Sequence, residues 1–391
     1  MEINQPKRAG RYVKQPTGYK AFIPRSLPPD PPIEMDDEMW TLISRADRAL
    51  ARLDMTSEIL PDPDLFVFMY VRKEAVLSSQ IEGTQASLID VLEYEAKARR
   101  VGPKGDVVEV INYMAAMEHG LASLDRLPVS LRLIKEIHER LLRHTRGHER
   151  NPGEFRRSQN WIGSEGCSLT DAAFVPPPPH EMESALGALE KFIHDRRPMP
   201  VLIKLGLIHA QFETIHPFLD GNGRAGRLLI TFLLCERDIL KKPLLYLSYY
   251  FKRNRSEYYE RLQSVRDRGQ WEGWLKFFLS GVIEVSREAT DVACRIMRLR
   301  EQDRERIVGG MGKGARTALM LLESLYRTPY ISVRSASDAT GLAIAGANAL
   351  VSRFCELGIL AEYTGQRRNR HFSYKAYVAL FDDRRADGLD G

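Results

Sequence analysis

Cysteine is scarce: Cys167, Cys235, Cys294 and Cys355 are the four in 391 residues, far apart and without a CxxC or a Cys/His cluster. That spacing argues against a disulfide framework and a zinc site, and it reads as reduced thiols. Long apolar runs are missing as well, none approaching the roughly 20 residues a bilayer span needs, so no membrane partner is expected. The opening MEINQPKRAGRYVKQPTGYK is polar and basic with no apolar core. It is no secretory signal, and the chain reads as cytoplasmic. Charge of one sign is not in surplus: 57 basic against 52 acidic residues give +5, which neither calls for nor excludes nucleic acid. Strand signals are few, and no repeat recurs at a fixed period.

What is present is helical periodicity in a chain long enough for about two to three domains. Residues 1–35 mix lysine, arginine and proline and read as an extended arm. Apolar residues then recur at three- and four-residue intervals over 38–54, 64–83, 107–124, 130–144, about 181–195 and 201–214, and again from Ala225 through Leu228, Leu229, Phe232 and Leu233. Between 151 and 180 the short pieces NWIG and AAFV flank polar residues ahead of four prolines, which predicts a small hairpin flap. EQDRERIVGGMGKGA, near 301–314, reads as a linker to a separate small domain. The fold class is mainly all-α.

The densest chemistry is HPFLDGNGRAGR, residues 216–227. As a calcium loop it fails, because Arg224, Ala225 and Thr231 stand where a ligand, a glycine and a glutamate belong. As a P-loop it is a near miss: Gly221 and Gly226 fit, but Arg227 and Leu228 replace the Lys and the Ser/Thr. A helix start that binds phosphate fits every residue, with the N–H groups of Gly221 to Arg224 aimed at an anion. The plain alternative, a glycine-rich helix start with no ligand, would leave two arginines uncompensated. Arg224 and Arg227 are three apart on one helical face, a spacing that suits a di- or triphosphate. Asp220 is a hard oxygen ligand for a Mg²⁺ shared with phosphates. His216 is placed to accept a proton from an attacking hydroxyl, and Phe218 to anchor the loop in the core.

HPFLDGNGRAGR resembles the HPFx(D/E)GNGRxxR signature of Fic-domain proteins at all nine specified positions. GEFRRSQNWIG and AFVPPPP look like the family's flap region, LSYYFKRNRSEYYERLQSVR like the segment after its motif helix, and the N-terminal arm like its N-terminal region. The resemblance implies a helical core with a β-hairpin flap and transfer of AMP from ATP to a protein hydroxyl. By matching position it makes His216 the base, Asp220 the Mg²⁺ ligand, Gly221, Asn222 and Gly223 the anion cradle, and Arg224 and Arg227 the grip on the outer phosphates. The flap, about 156–166, would align a segment of a target protein, or of the chain itself, by strand addition. A homodimer is common in the family.

SSQIEG, residues 78–83, matches the family's inhibitory [S/T]xxxE[G/N] pattern as Ser78, Glu82 and Gly83. Ser78 and Glu82 share a helix face, and Gly83 suits a helix end. The plain reading is an exposed Ser/Glu face; the sharper one has Glu82 pair with Arg227 in the place of the γ-phosphate. In some relatives the corresponding glutamate assists removal of AMP, so de-AMPylation stays open. Residues after about 316 resemble a winged helix-turn-helix. Its recognition helix, 344–357, offers only Asn348, Ser352 and Arg353 as polar reach, and Arg367, Arg368 and Arg370 fall in the wing, so DNA is the secondary partner and a nucleotide-sensing DNA regulator the rival function. The expected domains are 1–120 with the inhibitory helix, 121–305 as catalytic core and 306–391 as the winged helix. His138 and His209 read as packed rather than catalytic.

Overall fold

Apolar spacing sets most of the chain as helix, and the computed structural model describes residues 8–59, 63–96, 105–145, 147–164, 166–366 and 369–381. The N-terminal arm is not simply extended. It forms an antiparallel hairpin, β1 (Gly10–Lys14) with β2 (Lys20–Pro24), in the register Gly10↔Pro24 to Lys14↔Lys20. Its strands are too short to show alternation through the surrounding lysines and prolines. Asp36 accepts the Met39 N–H at 2.7 Å ahead of α1 (Asp37–Ile59), which buries Met39, Ile43, Ala46, Leu50 and Leu53 at alternating four- and three-residue spacing. α2 (Pro63–Ile81) is central, with every side chain from Met69 to Ser79 buried. α3 (Leu88–Ala96) follows.

The bundle around the motif is α4 (Gly105–Leu124), α5 (Leu131–Leu141), α6 (Pro179–Ile193), α7 (Val201–Ile215), α8 (Asn222–Glu236), α9 (Ser248–Arg253) and α10 (Arg255–Arg268). Pro200 and Pro178 stand just ahead of α7 and α6, where a missing N–H costs nothing. α7 is buried from Leu202 to Ile215, and α8 at nearly every position to Leu234, so the two helices that meet at the motif form the middle of the bundle. Between α5 and α6 the expected hairpin flap is reduced to one antiparallel bridge, Ile162↔Phe174, bonded both ways at 2.8 and 3.0 Å. The intervening loop closes on itself in turns, with Cys167 donating to Ser164 and Asp171 to Ser168, instead of lengthening the ladder. The Phe22 N–H of β2 bonds to the Val175 carbonyl at 2.9 Å and backs the flap with the N-terminal hairpin.

The linker expected near 301–314 is helix. α11 runs unbroken from Trp271 to Met311, 41 residues, and only a 3-10 turn at Gly312–Gly314 interrupts the chain. Gly309 and Gly310 each cost about 1 kcal/mol in a helix, and the burial of Ile307 just before them offsets it. Beyond come α12 (Ala315–Arg327), β3 (Tyr330–Ser332), α13 (Val333–Thr340), α14 (Ile344–Glu356), β4 (Ala361–Glu362), β5 (His371–Ser373) and α15 (Lys375–Val378), with a sheet in the order β3-β5-β4. This unit is tied to the rest: Arg300 pairs with Glu323 at 2.6 Å, the Tyr374 hydroxyl donates to buried Asp303, and Phe381 meets Tyr70 of α2 ring to ring at 5.5 Å. Arg367 and Arg368 lie outside the described residues, while Arg370 donates to Asn348 and Arg353 to the Gly310 carbonyl, at 3.0 and 3.2 Å. Among the described residues no helix is long and apolar enough to cross a membrane.

Asp303 is 1% exposed, with Tyr374 and Arg306 as its donors. Tyr374→Phe is expected to cost roughly 1–3 kcal/mol by leaving a buried acceptor short of a donor. Limited proteolysis at 309–314 should accelerate in the variant; an unchanged cleavage rate would show that this bond does not hold the C-terminal unit.

Candidate active site

The turn from α7 to α8 is built on spent carbonyls. His216 caps α7 in the left-handed region, φ 50 and ψ 62, a conformation that costs a non-glycine residue roughly 1 kcal/mol. Two buried donors hold it. The Arg156 guanidinium donates to the His216 carbonyl at 2.9 Å and to the Pro177 carbonyl at 2.5 Å, and Asn160 donates to His216 and Phe218 carbonyls at 3.2 and 2.8 Å. The Arg156 N–H takes the Pro217 carbonyl, and His138 takes that of Asp220 at 2.9 Å. With these carbonyls occupied, the first-turn N–H groups of Asn222, Gly223 and Arg224, which have no partner within α8, are the free polarity of the loop.

The Asn222 side chain is committed to the loop itself: it accepts from the Phe218 N–H and donates to the Phe218 carbonyl, both at 2.8 Å. Only its backbone N–H remains for an anion. Phe218 is fully buried and stacks on His138 with centroids 3.6 Å apart. Gly153 N–H donates to His138 Nδ1 at 2.9 Å, so Nε2 carries the proton it gives to Asp220, and the ring is neutral. Burial holds its pKa down at about 4. His209 is likewise packed, between the Gly226 carbonyl and the Tyr258 hydroxyl.

His216 itself is largely buried, and its Nδ1 has no hydrogen-bond partner among the described residues. Burial first, then the charges of Arg266 and Arg156, pushes its pKa down to about 3, with Glu82 and the nearby Glu213 main chain pulling the other way. The imidazole is therefore neutral at physiological pH. Arg266 donates to the Glu213 carbonyl at 3.1 Å and lies 3.9 Å over the Phe174 ring, which joins α10, the end of α7 and the flap.

The two arginines of α8 diverge. Arg227, its side chain 2% exposed, donates from Nε to Ser78 Oγ at 2.8 Å, and from one terminal nitrogen to the Ser78 carbonyl at 3.0 Å and Glu82 Oε1 at 2.7 Å. Burial works against its charge and Glu82 restores it. Ser78 is fully buried, so the exposed Ser/Glu face of the plain reading is not what forms; Gly83 follows α2 at φ +97. A third of the Glu82 side chain is exposed; burial raises its pKa, but Arg227, then Arg224 and His216, bring it below the usual value. A Cβ on Gly223 would lie 2.2 Å from Glu82 Oε1, so only glycine admits the carboxylate there. Arg224 is 4% exposed, stands 3.6 Å from Glu109 and 3.7 Å from Asp220, and keeps two buried donors unfilled. Asp220 Oδ1 accepts the Gly221 N–H at 2.6 Å.

Contacts thus link these residues: Arg227 to Ser78 and Glu82, Glu82 to Gly223 at the start of α8, Arg224 to Asp220, and Glu82 by its charge to His216. Sequence spacing did not disclose Glu74 or Glu213. Glu74 accepts from Tyr113 and Ser248, and burial lifts it to about 7. Glu213, whose Oε1 has no hydrogen-bond partner among the described residues, is also lifted to about 7 by burial, against the pull of Arg227. Both sit on buried helices that mask periodicity. Arg156 and Asn160 lay in plain view in GEFRRSQNWIG, but nothing in their spacing reveals that they clamp residue 216.

Comparison with known proteins places these residues in context. The Fic/DOC family N-terminal model matches residues 40–122 and the Fic/DOC family model residues 128–234. A probable protein adenylyltransferase of Aquifex aeolicus is 29% identical over 209 residues, 52% of this chain and 57% of that protein. Protein adenylyltransferase Fic of Drosophila grimshawi is 29% identical over 187 residues, 47% of this chain and 34% of that protein. The chain thus aligns with just over half of the first relative and about a third of the second. The crystal structure of a Fic family protein from Desulfovibrio desulfuricans G20 superposes with a TM-score of 0.56 at 18% identity, covering 88% of this chain and 97% of that one, a likeness of fold.

The neutral His138 sets a pH dependence. Its folded pKa of about 4 lies below the 6.5 of the unfolded chain, so acidification protonates the unfolded state first and stability falls from pH 6.5 toward 4. His138→Asn should flatten urea midpoints measured at pH 7, 6 and 5 by up to about 1.4 kcal/mol per pH unit relative to the parent. Equal slopes in both proteins would contradict the assigned neutral ring.

Proposed function

The chain belongs to the Fic/DOC family, and on that premise we propose that it is a protein adenylyltransferase, moving AMP from ATP to a hydroxyl of a target protein or of itself, with Glu82 as an internal brake. What carries the proposal is the neutral His216 beside a helix start whose N–H groups and Arg224 donors are unfilled. With Nδ1 buried near the Glu213 main chain, Nε2 is the nitrogen left to meet a hydroxyl. The hydroxyl oxygen attacks the α-phosphorus, its proton passes to Nε2, and the bond to the bridging oxygen breaks with pyrophosphate leaving. Negative charge arriving with the nucleotide raises the basicity that Arg266 and Arg156 suppress. The N–H groups of 222–224 face the α- and β-phosphates, and Arg224 the departing charge.

The donor set suits Mg²⁺. One carboxylate, Asp220, its side chain 39% exposed, beside a phosphate cradle is the arrangement a Mg²⁺ ion shares with a nucleotide, and the ion would neutralise phosphate charge there. Arg227 is the natural partner of a γ-phosphate, but Ser78 and Glu82 hold it. A phosphate brought within about 4 Å of the Glu82 carboxylate meets a repulsion on the order of 4 kcal/mol at an effective dielectric of 20, an upper bound. The flap at 156–166 lies beside His216 and carries Trp161, 43% exposed, as an anchor for a target segment added along the strand.

A second reading rests on the same carboxylate: with a third of its side chain exposed, Glu82 is placed to orient a water, which is the chemistry of AMP removal. We read the C-terminal helices and three-stranded sheet as a winged helix with a structural role. Asn348 and Arg353 of α14 are bonded within the protein, and Ile344, 55% exposed, leads a face poor in base-reading groups.

The test incubates the parent, Glu82→Gly and His216→Ala proteins with Mg²⁺ and ATP, followed by intact-protein mass. AMP-sized adducts should rise about tenfold or more in Glu82→Gly, in line with the repulsion removed, and fall by roughly 100-fold or more in His216→Ala. Equal labelling in all three proteins would exclude the assigned roles.

A further inference from the structure

A second cavity lies behind the brake. It has a volume of about 610 Å³, within the range of roughly 300–1,000 Å³ typical of small-molecule sites, and opens between α2, α3, α9 and the C-terminal β3, β5 and α15. Its walls are apolar where Leu77, Ile89 and Phe381 face in. Its charge is mostly positive: Lys73, Lys252 and Lys375 share the lining with a single carboxylate, Glu93. Lys73 is paired with Glu288 at 3.3 Å, which leaves Lys252 and Lys375 as the charges for an incoming group. Apolar walls with two lysines suit an organic anion with an aliphatic or aromatic body.

The cavity shares a helix with the site. Leu77 and Gln80 line it, while Ser78 and Glu82, on and just past the same last turn, hold Arg227. Gln80 links both sides, because it accepts from Lys252 Nζ at 2.6 Å and donates to the Ala86 carbonyl at 2.8 Å, fixing the loop that follows Glu82. The opposite wall belongs to the C-terminal unit, so a ligand here would be clasped between α2 and that unit.

We propose that this cavity binds a small amphipathic organic anion, and that the bound anion holds α2 where Glu82 grips Arg227. Leu77 and Gln80 of the cavity wall share the turn of α2 that carries Ser78, so release of Arg227 would reshape the cavity, and a ligand that fits the braked shape better favours that shape through its differential affinity. The binding half stands on the cavity alone; the regulatory half rests on the adenylyltransferase reading.

The probe is 8-anilinonaphthalene-1-sulfonate, an aromatic sulfonate, titrated into the full chain and followed by fluorescence. One saturable site is expected, insensitive to Mg²⁺-ATP and to His216→Ala, weakened about tenfold by Lys375→Glu through loss of a charge-assisted contact, and abolished by Ala379→Trp, which fills the space. Lys375 is exposed, so its variant tests the charge without threatening the fold. Binding that ignores both substitutions, or that never saturates, overturns the site. For the regulatory half, the probe should slow AMP transfer by the parent and spare Glu82→Gly; no slowing of the parent, or equal slowing of both, overturns the coupling. Amide exchange at residues 78–83 reads the same coupling without activity: slower exchange with probe supports it even if no variant transfers AMP, and unchanged exchange refutes it.

Discussion

A guanidinium with 2% of its side chain exposed must find its hydrogen bonds inside the protein, and Arg227 finds three of them on one turn of a distant helix. Much else serves that contact. α2 is buried nearly all round so that Ser78 can reach it, Gly223 lacks a side chain so that Glu82 can approach, and Glu74 is lodged nearby in its own hydrogen bonds. Burying one arginine therefore fixes the relative placement of α2 and α8, two elements separated by well over a hundred residues of chain. A pair this deeply set is weak support for stability, because desolvation opposes the attraction. Its more telling property is that it ties the motif helix to a helix outside the motif.

The loop before α8 shows the complementary device. Its backbone is pinned through carbonyls, by Arg156, Asn160, His138 and the Asn222 amide, so that N–H groups alone are left to face outward. Backbone polarity is sorted: carbonyls inward, N–H groups outward. Beside them lie a neutral imidazole, His216, and the carboxylates of Asp220 and Glu82. A helix start with free N–H groups favours anions.

The helices around the motif were legible because their apolar residues repeat at three and four. HPFLDGNGRAGR was legible because glycine, asparagine and paired arginines leave few other uses for a turn. The Arg227 contact with Ser78 and Glu82 was legible only through resemblance, since no local pattern links residues that far apart. The N-terminal hairpin is not legible because its five-residue strands, GRYVK and KAFIP, are too short to show alternation. The helical path through residues 301–311 is hidden by charge and glycine, which signal a linker locally and yield to packing: Asp303 and Ile307 are buried, and Asp303 accepts from Tyr374, far later in the chain. Asn222 was read as part of an anion cradle, while its side chain is spent on Phe218.

The long helix α11 has a mechanical meaning. At 1.5 Å per residue its 41 residues run roughly 60 Å. Near its start the Trp274 indole bonds to the Gly206 carbonyl of α7, nearly three turns before His216, and near its end Asp303 is held by Tyr374. A rod fastened at both ends does not let its two loads swing independently. Torque applied to the C-terminal unit is delivered to the bundle around the motif as a rigid tilt, and Phe381 against Tyr70 gives that tilt a second point of purchase on α2.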